Sequence, residues 1–172
     1  MLKISNFPCE VNRECVLQKL SKALIFQDIP VEIIDVLFKK WWIKVVSFHQ
    51  WEILIHQWQT NCEKLFLLLS GWVDIFVHER RITQISHMTT LWEIGFINKS
   101  ETRNATVQVN QKSYFLEFCK DFFEKIPETF QKTFYKNLML EMSKKLSESN
   151  HHIATQLVLE QTPFQVHKLL NW

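Results

Sequence analysis

Few residues of this 172-residue chain have the type and spacing to do chemistry. The pair that does is Glu93 and Arg103, within LWEIGFINKSETRNATVQV (91–109). An arginine can grip an anion through a planar fork of donors, which a lysine cannot reproduce. A carboxylate cannot serve an anion, but it accepts a hydrogen bond from a hydroxyl. From spacing alone, the two would form a salt bridge across a loop. No nucleophile–base pair, metal cluster or Walker loop accompanies them, so the chain reads as a non-enzyme with no metal and no cofactor. Cys9, Cys15, Cys62 and Cys119 follow no Cys-x-x-Cys pattern, and read as buried thiols in a reducing, cytoplasmic compartment. His151-His152 would point about 100° apart on a helix. His49, His56, His78 and His87 include no His-x-His pair, which argues against a cupin-like metalloenzyme.

The elements that must position this pair are mostly strands. Segments 44–48, 52–56, 64–70, 72–78, 81–86, 105–109 and 113–117 recur about every ten residues with polar turns between them, the pattern of a β sandwich or barrel. Val73, Ile75 and Val77 alternate with Trp72, Asp74 and Phe76, as half-buried strands do. Before them, 15–25 carries Val16, Leu17, Leu20 and Leu24 at helical spacing, and Pro30 opens a second helix with Val31, Ile34, Leu37 and Phe38 as its stripe. After them, Asp121 is placed to cap a short helix. Pro127 opens a long one, reaching about residue 160. Met139, Met142, Leu146, Ser149 and Ile153 form a heptad-like seam along it, suited either to the β domain or to a second copy in a homodimer. The expected organisation is a helical segment at 1–42, a β domain at 43–120 and C-terminal helices at 121–172.

Bulk properties exclude several classes. Apolar residues make up 47% and charged residues 22%, with a net charge of +2, so the chain is no electrostatic magnet for nucleic acid. Lys39-Lys40, Arg80-Arg81 and Lys144-Lys145 read as solvated surface. The sequence reads as carrying no transmembrane span, no secretory signal and no nucleic-acid-binding motif; the tail QTPFQVHKLLNW is too short for a helix-turn-helix. One count is odd. There are two glycines and seven tryptophans, where average usage predicts about 12 glycines.

The segment 91–109 resembles the phosphate-binding cassette of the cyclic-nucleotide-binding family, which includes the catabolite activator proteins and the regulatory subunits of cyclic-AMP-dependent kinase. That cassette runs Phe-Gly-Glu-(Leu/Ile)-(Gly/Ala), a short helix and loop, then Arg-(Ser/Thr)-Ala. Glu93, Ile94, Gly95, Arg103 and Ala105 match it. IFQDIPVEIIDVL, EILIHQ, LFLLLSG with Gly71, and KKLSESN are similar to other family segments, in the family's order. The resemblance implies a mainly β fold with flanking α-helices, a jelly roll (double-stranded β-helix) with its cassette at 91–105. It implies a cyclic AMP or cyclic GMP sensor in which Arg103 holds the phosphate and Glu93 the ribose 2′-hydroxyl. Amides around Ile94, Gly95, Asn104 and Ala105 would complete the cradle. Ser149 and Asn150, on the C-terminal helix, fall where family members often touch the base.

The cassette glycine is missing: Trp92 stands where glycine is expected. Trp51 and Trp58 stand at two more turn glycines, in HQWE and HQWQ. Tryptophan is a poor substitute where the backbone needs positive φ or close approach. Two accounts remain open. Either the domain is degenerate, with Trp92 crowding the phosphate site of a non-binding scaffold or dimerisation module, or the tryptophans are UGA codons that the host reads as glycine. The second account extends to Trp41, Trp42, Trp72 and Trp172, and restores nine glycines in total. A reading frame continuing past Trp172 would instead make the chain the sensor part of a CRP/FNR-type transcription regulator.

Overall fold

The computed structural model describes residues 12–40, 42–60, 64–86, 88–97, 102–118 and 125–169, with only the backbone for Arg13 and 157–169. The expected cap at Asp121 lies outside them. Eight strands form two four-stranded antiparallel sheets. One holds β1 (Ile43–Phe48), β8 (Ser113–Phe118), β3 (Leu65–Ser70) and β6 (Thr89–Leu91) in that order. The other holds β2 (Ile53–Ile55), β7 (Thr106–Val109), β4 (Trp72–Val77) and β5 (Arg80–Ser86). This is the mainly β jelly roll with flanking helices that the sequence implies. Seven strands match expected ones; the three-residue β6 was not anticipated.

Strand alternation divides the core in two. Phe66 and Leu68 of β3, with Ile55, Val73, Leu91, Val107, Val109 and Phe115, fill the space between the sheets. Leu65, Leu67 and Leu69 point the other way and pack under the helices. β3 is therefore buried on both faces, which is why LFLLL is a continuous apolar run rather than an alternating one. The β3–β4 corner depends on Gly71, at φ +108°, where a Cβ would meet Ser113 Cα at 2.8 Å.

The helices form one cover. α1 (Arg13–Leu20) is capped by the Asn12 side chain, which accepts from Glu14 N at 2.8 Å. It stops five residues short of the expected end. A 3₁₀ turn, Leu24–Phe26, follows and drives Ile25 and Phe26 into the core. Cys15 is exposed on α1, not buried as expected; the other three cysteines lie outside the described residues. α2 (Val31–Lys39) buries Ile34, Leu37 and Phe38. After α3 (Glu93–Ile97) comes α4, a 42-residue helix, Glu128–Leu169, about 63 Å long at 1.5 Å per residue. α4 docks through Phe130, Phe134, Leu138 and Glu141, and Asn137 Nδ2 donates to the Gln27 carbonyl at 2.6 Å. No described helix is long and apolar enough to cross a membrane.

The Phe134 ring lies at the centre of this cover, with centroids 5.6 Å from Phe118 and 6.2 Å from Phe26. It is fully buried. Phe134→Ala is expected to cost about 3–5 kcal/mol in a urea unfolding titration, since it removes the transfer free energy and leaves a cavity. An effect below about 1 kcal/mol would mean that α4 does not dock here.

Candidate functional site

Two turns of nearly the same sequence hold β7 and the residues that lead into it. In HQWE the Glu52 N–H donates to the His49 carbonyl at 3.2 Å, and in HQWQ the Gln59 N–H donates to the His56 carbonyl, also at 3.2 Å. In each turn only the third residue has positive φ: +72° at Trp51 and +70° at Trp58. This is the type II pattern, whose third residue is normally glycine. Both turns then clasp the neighbouring chain. Trp51 N–H donates to the Val109 carbonyl (2.7 Å) and Val109 N–H to the Glu52 carbonyl (2.9 Å). Trp58 N–H donates to the Arg103 carbonyl (2.7 Å) and Arg103 N–H to the Gln59 carbonyl (3.0 Å). The backbone of Arg103 is thus fixed by the second turn.

The third tryptophan lies between β6 and α3. Trp92 has φ +78°, and its carbonyl accepts from Phe96 N–H at 3.2 Å, opening α3. Among the described residues, seven non-glycine residues have positive φ, and three of them are tryptophans. Trp72 and Trp42 have ordinary backbones, on or beside strands, and Trp41 and Trp172 lie outside the described residues. Within the described chain, the conformational demand for glycine at tryptophan positions is therefore confined to 51, 58 and 92.

The indole of Trp92 fills the space between α3 and Arg103. Its Nε1 lies so close over Gly95 that a Cβ there would be 1.8 Å away. The Arg103 guanidinium carbon sits 3.8 Å from the indole centroid, a cation–π contact. Arg103 is fully buried, and its Nη2 donates to the Lys64 carbonyl at 3.3 Å. An arginine is seldom withdrawn from water without strong compensation.

Glu93 and Arg103 do not form the salt bridge that spacing suggested. Glu93 is buried and turned to α4, where its carboxylate accepts from Lys145 Nζ and lies 2.5 Å from Thr90 Oγ1. Lys145, expected as solvated surface, is a half-buried ion-pair partner. Glu141 joins the group: its Oε1 accepts from Thr90 N–H at 2.6 Å. Sequence reasoning missed Thr90, Glu141 and Lys145; the only available signal was the Glu-x-x-x-Lys spacing of one helix turn, which does not point to Glu93. Ile94 is exposed, Ala105 is half-buried, and Asn104 is exposed with its carbonyl accepting from Gln57 Nε2 at 3.0 Å. Ser149 and Asn150 lie about one turn beyond Lys145 and are exposed. The structure brings Trp92, Gly95 and Arg103 together, and joins Glu93 to α4. Among the described residues, no group of three His, Cys, Asp or Glu could hold a metal ion.

The architecture matches a cyclic-nucleotide-binding domain from Methylobacillus flagellatus with a TM-score of 0.71 at 16% identity, covering 83% of each chain. The chain has the fold of the cyclic-nucleotide-binding domain family. The Thermus thermophilus catabolite activator protein shares it, with a TM-score of 0.61 at 15% identity over 78% of this chain and 63% of that one. So does the regulatory subunit of a cAMP-independent protein kinase A from Trypanosoma cruzi, bound to guanosine, with a TM-score of 0.56 at 18% identity over 70% of this chain and 44% of that one. The chain thus spans less than two thirds of these last two proteins. No family model and no curated protein matches the sequence. In this fold the indole of Trp92 lies between α3 and Arg103, two parts of the 91–105 segment singled out above.

Proposed function

We propose that the gene encodes a cytoplasmic cyclic-nucleotide sensor module, not an enzyme, with glycine at positions 51, 58 and 92. The observation that carries this reading is the positive φ at all three positions, two of them in type II turns beside the cassette. Random replacement would not place tryptophan at three such sites. With glycine at 92, the indole is gone and the guanidinium of Arg103 faces the vacated space. There it meets the singly charged phosphate of cyclic AMP or cyclic GMP with a fork of donors. Amides of Ile94, Gly95, Asn104 and Ala105 add donors, Glu93 takes the ribose 2′-hydroxyl, and Ser149 and Asn150 approach the base if α4 moves toward it. Ligand then shifts α4 between two positions for which it has different affinities.

The exposed seam on α4 supports a homodimer. Met139, Leu146 and Ile153 are 59%, 63% and 52% exposed, while Met142 packs against the core, so most of this face is not spent on the β domain. Output passes to a further domain of CRP/FNR type or to a separate protein. One observation favours the rival scaffold reading: the indole of Trp92 lies over the Arg103 guanidinium and Gly95, where the sensor reading puts the phosphate.

The test reads the codons at 51, 58 and 92, then titrates the glycine form with cyclic AMP, cyclic GMP and guanosine by calorimetry. UGA at all three, with saturable binding of a cyclic nucleotide, is the expected result. UGG codons would make the tryptophans genuine and the domain a scaffold.

A further inference from the structure

α4 meets the cassette through charge. Buried contacts along the helix run through Phe130, Phe134, Leu138 and Glu141; Lys145 is half-buried, and every residue from 146 to 156 is exposed. Up to residue 156, Lys145 thus sits at the last turn where the helix touches the domain. Its ammonium donates to the Glu93 carboxylate and, at 2.5 Å, to the Thr90 carbonyl. Its other carboxylate neighbour is Glu141, on its own helix, at 3.7 Å. Thr90 Oγ1 stands between the two acids, 2.5 Å from Glu93 Oε1 and 2.7 Å from Glu141 Oε1. Under this cover the Glu93 side chain is only 11% exposed.

We infer that Lys145 is the residue coupling site occupancy to α4: without ligand it pins the helix to the cassette through Glu93, and a ribose hydroxyl arriving at Glu93 displaces it. This rests on the reading of Glu93 as the ribose acceptor. The two partners compete for one largely covered carboxylate. Displacement does not strand the ammonium, because Glu141 is one turn away on the same helix. Thr90 can likewise turn its hydroxyl to Glu141. Each displaced group keeps a partner, so the two arrangements are close in free energy, as a switch requires. The pivot lies where the helix leaves the domain, so a small change there swings the exposed 146–156 stretch.

The test uses the full chain with glycine at 51, 58 and 92, and follows amide hydrogen exchange of residues 142–156 alongside calorimetric titration with cyclic AMP and cyclic GMP. Without ligand, Lys145→Met is expected to speed exchange across this stretch by about fivefold or more, the lower range of allosteric coupling. Lys145→Arg is expected to behave as the parent. The Met variant is also expected to bind nucleotide about fivefold or more tightly, and its exchange no longer responds to ligand. A merely structural lysine would not tighten binding when removed. Unchanged exchange, or weaker binding in the Met variant, overturns the proposal. If no nucleotide binds the parent, the displacement falls with the reading it rests on, while the ligand-free exchange still decides whether Lys145 pins α4.

Discussion

Trp92→Gly alone is expected to convert a chain that binds no cyclic nucleotide into one that does. The indole lies 3.8 Å over the Arg103 guanidinium carbon and directly over Gly95, so a phosphate and the indole cannot occupy this space together. Removing it uncovers a buried arginine whose backbone is held by two hydrogen bonds to the HQWQ turn and whose Nη2 donates to the Lys64 carbonyl. A preorganised donor of this kind loses little entropy when it binds. In the Trp92→Gly background, Arg103→Ala is expected to weaken binding by about 30-fold or more, since truncating one partner of a buried charge pair costs about 2–5 kcal/mol. Arg103→Lys keeps the charge but not the fork, and should fall between the two. Calorimetry on the four proteins decides. Equal affinity with and without Trp92 would place the ligand elsewhere, and an unaffected Arg103→Ala would remove arginine from the site.

The second large effect concerns stability and has opposite signs at different tryptophans. Trp51 and Trp58 are each 63% exposed, so their indoles bury little. Their left-handed backbones cost about 1–2 kcal/mol per residue for any side chain. Glycine removes that cost but gives the unfolded chain more freedom, leaving a net gain of about 1 kcal/mol at each. The double variant Trp51→Gly/Trp58→Gly is expected to gain about 2 kcal/mol, or roughly 4–8 °C in Tm for a domain of this size. Trp72 is the control. It sits on β4 with an ordinary backbone, so Trp72→Gly should lose about 1 kcal/mol from a weakened strand. Thermal unfolding measures all of them. A double variant less stable than the parent would mean that the tryptophans are native to those turns.

These turns were legible in the sequence because their requirement is local. The family resemblance places glycine at 51 and 58, where this sequence has tryptophan, and a Cβ at positive φ clashes with its own backbone whatever surrounds it. The alternation of 106–109 was equally legible, since a strand with one buried face must alternate; in β4 it is broken, because Asp74 is buried beside Val73. The apolar run 65–69 was recognisable as a strand, but its burial on both faces depended on the helical cover. β6 was not anticipated: three residues, Thr-Thr-Leu, carry no period, and they become a strand by pairing with β3. α1 was read too long because Leu24 continues its spacing. Packing of Ile25 and Phe26 beneath α4 is what breaks the helix there.

By itself, then, the sequence determined the class of fold, because strand periodicity acts over a few residues, and its family resemblance marked the three tryptophans whose backbones call for glycine. The partners of the charged groups were decided by tertiary structure alone. Glu93 and Arg103 are close in sequence yet do not pair; Glu93 instead meets Lys145, 52 residues away. The docking of α4 beside β6 decides this, since an ion pair depends on distance in space, which side chains reach only after the elements that carry them have packed.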